Sequence, residues 1–293
     1  MAGLLVRLQY LLPHHLLCRI AYALTRSRVA WLKNALIAAF MRAYRPRMAE
    51  AIQPEPLRYA SFNAFFTRAL NPDARPIDPD PLRVVSPCDG TLSIASALQA
   101  DQLLQAKGHR FSLEALLGDD AVWAPALRGG LYATLYLAPF NYHRVHMPLA
   151  GRLRAAWHVP GRLFSVNSAT VARIPGLFAR NERIVCAFDG EHGRFVVVLV
   201  GALFVGSMST VWHGEITPWR AGGGRTPGIH RLEPSSAADR WQPRGAELGL
   251  FNMGSTVLLL LPPGLARWDP ALASGAAVVV GQGLGSLVAP VRQ

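Results

Sequence analysis

The sequence is poor in cysteine and in charged residues for a chain of 293 residues. Its three cysteines, Cys18, Cys88 and Cys186, are too few and too scattered for a disulfide framework or a zinc knuckle. The fold therefore needs no oxidising compartment. Charged residues make up 16% and hydrophobic residues 51%, which excludes a disordered polyelectrolyte and leaves enough apolar side chains for a sizeable core.

Acidic residues are missing altogether from the first sixth of the chain. Residues 1–49 hold eight lysines and arginines and no aspartate or glutamate, so they supply +8 of the net charge of +12. A basic protein can bind nucleic acid, an anionic membrane or an acidic substrate. Here the cations are interleaved with leucine, valine, isoleucine and aromatic residues, which favours a membrane surface and argues against nucleic acid.

A hydrophobic run long enough to cross a bilayer is also missing. The longest uncharged run of the N-terminal stretch, residues 8–18, has 11 residues and is broken by Pro13, whereas about 20 are needed. We expect neither a transmembrane helix nor a secretory signal. Residues 1–50 are predicted to form a basic, amphipathic helical segment that lies on the membrane. Its expected apolar face consists of Val29, Leu32, Leu36, Ile37 and Phe40. The alternative is an ordinary helix that packs on the core and keeps a solvated basic face.

The sequence pattern changes after Pro46, and residues 51–293 are predicted to form a catalytic domain rich in strands. Short apolar runs bounded by glycine, proline or aspartate recur, as at 131–138, 195–205 and 256–261. Short helices are expected at 61–70, with a serine cap, and at 112–117, before Gly118, and a buried strand pair is expected at 271–291. Residues 220–228 are predicted to form a flexible loop. The predicted fold class is α+β, with a helical N-terminal membrane-associating segment on a mostly β body.

Three short segments carry reactive side chains, and each alone has an ordinary explanation. Asp89 precedes a glycine in a turn, His143 and His146 lie three apart before a proline, and Ser255 follows Gly254 ahead of an apolar strand. The two histidines lack a third metal ligand at a familiar spacing, so no metal site is predicted.

Together the segments supply the parts of a nucleophile-activating triad of serine, histidine and carboxylate. The serine lacks the Gly-x-Ser-x-Gly elbow of a hydrolase, and glycine immediately before it suits attack on its own upstream peptide bond. Two other interpretations stay open: a serine hydrolase that acts on an external ester or amide, and a non-enzymatic membrane-binding module.

The three segments, in this order and spacing, resemble the bacterial type of phosphatidylserine decarboxylase. The resemblance runs from about residue 60 to residue 262 and includes the basic, apolar N-terminus. Met253 and Cys88 depart from the family's usual residues, but neither is a reacting group. Further matching segments are 65–68, Arg75-Pro76, 163–167, 177–183 and 205–207.

This resemblance implies a self-cleaving zymogen. Ser255 would attack the Gly254 carbonyl, with His146 as the base and Asp89 as its orienting partner. Cleavage would give a β chain, 1–254, and an α chain, 255–293, that begins with a pyruvoyl group made from Ser255. The pyruvoyl carbonyl would form a Schiff base with the substrate amine. His143 would act as the acid in decarboxylation or would position the substrate carboxylate.

The resemblance also implies the partners and the location. The substrate would be phosphatidylserine in a membrane, converted to phosphatidylethanolamine and carbon dioxide. The α and β chains would stay together as a heterodimer, with a dimer of heterodimers as a further option. The enzyme would be peripheral, on the cytoplasmic face of the cell membrane.

Overall fold

A computed structural model describes residues 6–118, 122–204, 207–217, 228–232 and 241–288. Within these ranges the chain forms mostly strands with a few helices, which confirms the mixed, sheet-rich fold class. The strands are β1 Arg83–Val85, β2 Gly90–Ala97, β3 Gln102–Leu104, β4 Arg110–Ser112, β5 Leu131–Leu137, β6 Arg144–His146, β7 Gly151–Val159, β8 Arg183–Gly190, β9 Gly193–Val200, β10 Met208–Thr210, β11 Gly214–Ile216, β12 His230–Arg231, β13 Trp241–Gln242, β14 Glu247–Phe251, β15 Ser255–Leu261, β16 Ala266–Trp268, β17 Ala277–Val278 and β18 Gly283–Leu287.

The helices are short outside the N-terminal stretch. They are α1 His14–Arg26, α2 Ala30–Tyr44, α3 Phe62–Phe66, α4 Leu113–Leu117, α5 Trp123–Leu127, α6 Ser168–Val171 and α7 Leu177–Arg180. The predicted serine cap is present, because Ser61 accepts a hydrogen bond from the Ala64 amide on α3. Ser112 caps α4 in the same way and accepts a hydrogen bond from the Ala115 amide. Each hydroxyl satisfies an amide that the first helical turn leaves unpaired.

A nine-stranded antiparallel sheet carries most of the core. Eight strands follow in the order β12-β7-β8-β9-β15-β5-β2-β17, and β13 also pairs with β7. Strand β15 lies near the middle, between β9 and β5, and all seven of its residues are buried. The other sheets have the orders β11-β10-β14-β6, β1-β18-β16 and β3-β4. Residues 252–254 connect β14, in the four-stranded sheet, to β15, in the nine-stranded sheet.

The prediction that two strands within 271–291 pair with each other is wrong. Strands β17 and β18 are present, but β17 pairs with β2 whereas β18 pairs with β1 and β16. Each strand completes a different sheet, since each finds its hydrogen-bond partner elsewhere in the chain. Most of the loop predicted at 220–228 lies outside the described residues.

The later part of the predicted apolar face, Leu36, Ile37 and Phe40 on α2, packs against the protein. Ile37 and Phe40 are buried in a cluster with Phe62, Phe65 and Phe66, and Leu36 packs on that cluster. The alternative interpretation therefore holds for this face, because α3 supplies an aromatic surface that covers it. Val29, at the start of the predicted face, is 51% exposed and does not join the cluster. Other exposed apolar side chains are Leu16, Ile20 and Leu24 of α1, together with Leu11 (81% exposed) and Trp31 of α2 (73% exposed).

No helix within the described ranges is both long and apolar enough to span a membrane.

Candidate active site

Ser255 is the first residue of β15 and lies at the point where the chain enters the central sheet. It pairs with Leu137 of β5, and its side chain is fully buried. The Ser255 Oγ atom has no hydrogen-bond partner among the described residues. A buried hydroxyl usually finds a partner, and Ser255 shares the lack of one with the next residue, Thr256. What sets Ser255 apart is that it directly follows Gly254, so its hydroxyl is the candidate nucleophile.

His143 lies directly against the Gly254–Ser255 linkage. A Cβ built on Gly254 would lie 3.6 Å from His143 Nε2, and this nitrogen is buried with no partner in the described structure. His143 Nδ1 donates to the Asn141 carbonyl at 2.9 Å, which leaves Nε2 unprotonated. The ring packs on Phe66 at a centroid distance of 4.2 Å. Burial lowers the pKa of His143 to about 3, so the imidazole is neutral near pH 7.

His146 has a different environment, although it lies only three residues further along the chain. Its Nδ1 donates to the Gly245 carbonyl at 2.8 Å, and its Nε2 accepts from the Tyr142 hydroxyl at 3.2 Å. Burial lowers the pKa of His146, so this ring is also a neutral acceptor at Nε2. The Gly245 carbonyl thus fixes the tautomer that Asp89 was expected to fix.

Asp89 is bound to an arginine and not to His146. It accepts from Arg75 Nε at 2.8 Å and from the Val280 amide at 2.9 Å, while Arg75 also donates to Glu50. Hydrogen bonding to Asp89 is the main cause that raises the pKa of Arg75. Among the described residues no hydrogen bond joins Asp89 to His146 or His146 to Ser255. The three predicted triad residues are therefore not joined into a triad in this structure.

Two cavities adjoin the start of β15. The first, about 220 Å³, is lined by Gly254, Phe66 and Met253 and by Phe40 and Tyr44 of α2. The second, about 600 Å³, lies on the face of the sheet that carries Thr256, and its lining is hydroxyl-rich. Tyr136, Val166 and Asn167 line both cavities. Space for a substrate therefore extends from α2 to the Gly254–Ser255 linkage.

A polar network holds the segment just before the linkage. Asn252 Nδ2 donates to Ser207 Oγ at 2.7 Å, and Asn63 Nδ2 donates to Asn252 Oδ1 at 3.1 Å. Ser207 Oγ donates to Glu215 at 2.5 Å, and Glu215 also pairs with Arg26 of α1. These contacts fix the position of the linkage relative to the N-terminal helices.

Sequence reasoning assigned no role to Arg75, Arg68 or Tyr142. Arg75 and Arg68 stand in segments that carried the family resemblance, and Tyr142 is next to His143, so their positions were visible but their partners were not. Groups of three or more histidine, cysteine, aspartate or glutamate side chains that could hold a metal ion are absent from the described part of the chain.

The residues at this position fit a covalently derived pyruvoyl group. Such a group takes its atoms from a serine, and Ser255 is buried, has an unpartnered hydroxyl and follows a residue without a side chain. The neutral His143 Nε2 beside the linkage supplies a proton acceptor at the same place.

Comparisons with known proteins agree over nearly the whole chain. The family profile described as phosphatidylserine decarboxylase matches residues 62–286, and a second one, described as PSD, matches residues 4–45. A phosphatidylserine decarboxylase proenzyme of Azotobacter vinelandii is 49% identical over 284 residues, covering 94% of this chain and 96% of the relative. Proenzymes of the same name from Pseudomonas putida and Methylococcus capsulatus are 48% and 49% identical, each covering 97% of this chain and 96% of the relative.

Proposed function

The chain belongs to the phosphatidylserine decarboxylase family, and we propose that it converts phosphatidylserine to phosphatidylethanolamine and carbon dioxide after cutting itself at Gly254–Ser255. One observation carries the proposal: a buried serine with an unpartnered hydroxyl follows Gly254, and an unprotonated imidazole nitrogen lies against the linkage. A serine hydrolase would need its nucleophile open to an external substrate, whereas Ser255 is fully buried.

Self-cleavage begins when Ser255 Oγ attacks the Gly254 carbonyl carbon. The bond from that carbon to the Ser255 nitrogen breaks, the nitrogen takes a proton, and an ester joins the two parts. A base then removes the Cα proton of Ser255, and the Gly254 carboxylate leaves as the Cβ–Oγ bond breaks. Water converts the resulting dehydroalanine to a pyruvoyl group and ammonia. The products are a β chain, 1–254, and an α chain, 255–293, which is 39 residues long.

We assign the removal of the Ser255 proton to His146, with Asp89 as the charge behind it. The Gly245 carbonyl holds the His146 ring with Nε2 free to accept a proton. To reach Ser255, this nitrogen must exchange the Tyr142 hydroxyl for Ser255 Oγ. Burial is the main cause that lowers the pKa of His146, and the Gly245 carbonyl and Glu247 oppose it. The Asp89 carboxylate adds the smallest of these raising effects, so it favours the imidazolium that forms only weakly.

His143 is assigned to the later step. When formed, the pyruvoyl group supplies a carbonyl that takes up the substrate amine and the electron pair left by carbon dioxide. His143 Nε2 faces that position, and its low pKa keeps it unprotonated until an anion arrives. A substrate carboxylate beside Nε2 would raise the pKa of His143, since an opposite charge favours the protonated form. The protonated ring could then hold the carboxylate or return a proton.

Residues 1–50 are assigned to the membrane and residues 51–293 to catalysis. The exposed Leu16, Ile20 and Leu24 recur every four residues on α1, with basic side chains nearby, as on helices that lie in a bilayer surface. Phe40 and Tyr44 line the cavity at Gly254, so α2 connects this surface to the reacting linkage. We place the enzyme on the cytoplasmic face of the cell membrane, as an α–β heterodimer able to dimerise.

Intact mass spectrometry tests the assignment of the two histidines. Wild type and His143→Ala should each give two chains, with a pyruvoyl group at the start of the α chain, but His143→Ala should turn over little lipid. Ser255→Ala, His146→Ala and Asp89→Ala should each give one uncut chain. His15→Ala, at an exposed histidine of α1, is the matched control and should behave as wild type.

Each failure has a distinct meaning. A wild type that stays uncut and does not decarboxylate phosphatidylserine would refute the proposed function. Blocked cleavage in His143→Ala together with normal cleavage in His146→Ala would reverse the two roles. His143 is the other candidate base for self-cleavage because it lies beside Gly254.

A further inference from the structure

Arg68 is a buried cation with most of its hydrogen bonds unmade. Its side chain is only 3% exposed, and Nη2 donates to the Phe140 carbonyl at 3.3 Å. Nε and Nη1, which carry three N–H groups, have no partner in the described structure. Burial lowers the pKa of Arg68. The guanidinium carbon also lies 5.9 Å from the centre of the Phe65 ring. A buried guanidinium without a carboxylate partner is unfavourable, so a bound anion would stabilise this position.

The neighbouring carboxylates are already neutralised by other arginines. Arg75 donates to both Asp89 and Glu50, and Arg47 lies 3.7 Å from Glu50. Asp89 and Glu50 therefore act on Arg68 only at a distance. Within the described ranges no carboxylate forms an ion pair with Arg68, so its charge is available to a ligand.

Arg68 lines a cavity of about 230 Å³ in which cations outnumber anions. Four arginines, at positions 45, 47, 68 and 75, share the wall with Glu50 and Asp89. Two of the four charges balance these acids, and two remain. Arg45, which directly follows the last residue of α2, lines the cavity, so part of its wall belongs to the segment that we assign to the membrane.

The cavity is coupled to the reacting linkage by short connections. Arg68 follows Phe66 by two residues, and the Phe66 ring packs on His143. Arg68 also holds the Phe140 carbonyl, next to the Asn141 carbonyl that fixes the His143 ring. Arg68 lowers the pKa of His143 through its charge, as a minor cause beside burial. An anion at Arg68 would offset that influence.

We propose that the Arg68 cavity is an anion subsite that binds an oxyanion of the phospholipid headgroup. The proposal rests on the proposed function and names how the substrate is held. The headgroup of phosphatidylserine carries two oxyanions, a carboxylate and a phosphodiester, and both are ligands for arginine. An anion bound there would lie beside the Arg68 guanidinium, which lines the cavity, and would place a negative charge close to His143.

The test compares Arg68→Gln and Arg68→Lys with wild type and with Arg58→Gln, a control at an exposed arginine paired with Glu55. Steady-state kinetics are measured on phosphatidylserine in mixed micelles, and self-cleavage by intact mass. We expect all four proteins to be cut. KM should rise about 10- to 100-fold in Arg68→Gln, the effect of losing a charge-assisted hydrogen bond, and less in Arg68→Lys. The control should match wild type.

Trapping on the α chain distinguishes the two oxyanions. Cyanoborohydride links the lipid amine to the α chain, and the added mass gives the yield for phosphatidylserine and for phosphatidylethanolamine, which lacks the carboxylate. A yield that falls in Arg68→Gln for both lipids assigns the subsite to the phosphate. A fall for phosphatidylserine alone assigns it to the carboxylate. Unchanged KM and unchanged trapping of both lipids, in a wild type that decarboxylates normally, would overturn the subsite and leave the proposed function standing.

A second measurement does not depend on cleavage. Glycerol 3-phosphate and serine are each added to the uncut Ser255→Ala chain, and the thermal midpoint is recorded against sodium chloride at equal ionic strength. At least one of the two should raise the midpoint. The rise should be lost when Arg68→Gln is added and kept when Arg58→Gln is added. No rise with either ligand would contradict the subsite even if the Arg68 variants failed to fold.

Discussion

The neutral, buried His143 predicts that acid destabilises this protein in a specific pH window. The pKa of His143 is about 3 in the folded chain, against an ordinary value of 6.5. The unfolded chain therefore binds one more proton than the folded chain between these two values. Stability that is complete above pH 6.5 is lost as the pH falls towards 3, by about 1.4 kcal/mol for each pH unit. From pH 7.5 to pH 5.0 the loss due to His143 is about 2 kcal/mol.

Urea unfolding of the uncut Ser255→Ala chain measures this loss, with His143→Asn as the perturbation. Asparagine keeps a side-chain donor for the Asn141 carbonyl but does not titrate. The free energy of unfolding should fall by about 2 kcal/mol less in His143→Asn than in its parent over that pH interval. His15→Asn, at an exposed histidine, should behave as the parent. Equal losses in the parent and in His143→Asn would refute the buried, neutral state of this histidine.

Three further predictions concern the membrane, the cofactor and the sheet. Binding of the protein to anionic vesicles should weaken but persist at high salt. Replacing the exposed Leu16, Ile20 and Leu24 by serine should release the protein from the vesicles, whereas the control Val211→Ser, at another exposed apolar residue, should not. Unchanged binding by the triple variant would place the membrane contact elsewhere. Hydroxylamine should inactivate the mature enzyme and chelators should not, as followed by carbon dioxide release; loss with a chelator and recovery with zinc would indicate a metal. Gly90→Ala should lower the free energy of unfolding of the uncut Ser255→Ala chain by about 1–3 kcal/mol in urea, because a Cβ at Gly90 would lie 2.4 Å from the Tyr136 carbonyl oxygen. Gly254→Ala in the same chain should cost less than about 1 kcal/mol, because the nearest atoms to a Cβ at Gly254 are 3.6 Å away.

Local signals in the sequence predicted the elements that local physics decides. Ser61 was predicted as a helix cap because a cap depends only on the next three residues. The apolar run after Ser255 was readable as a buried strand for the same reason.

Choices between distant partners could not be read in this way. The apolar face of α2 has the pattern expected of either a membrane or a protein contact, and only the aromatic side chains of α3 decide between them. Asp89 was assigned to His146 by chemistry, but Arg75, 14 residues before it, binds that carboxylate in the uncut chain. Arg68 lacks a carboxylate partner because Arg75 pairs with the nearby Asp89 and Glu50. The spacing of these residues in the sequence does not predict which arginine pairs with which acid.

The place of the cut within the sheet determines how the mature enzyme can be lost. The α chain that the proposed cut would release, 255–293, includes β15 between β9 and β5, and its later strands pair with β1 and β2. Before the cut, these pairings form within one polypeptide; afterwards, any reassembly would require two separate molecules to meet, at a far lower effective concentration. We therefore expect the protein to fold efficiently only as the uncut precursor. The working lifetime of the enzyme is then set by its rate of unfolding, since each opening of the central sheet is an opportunity for permanent separation.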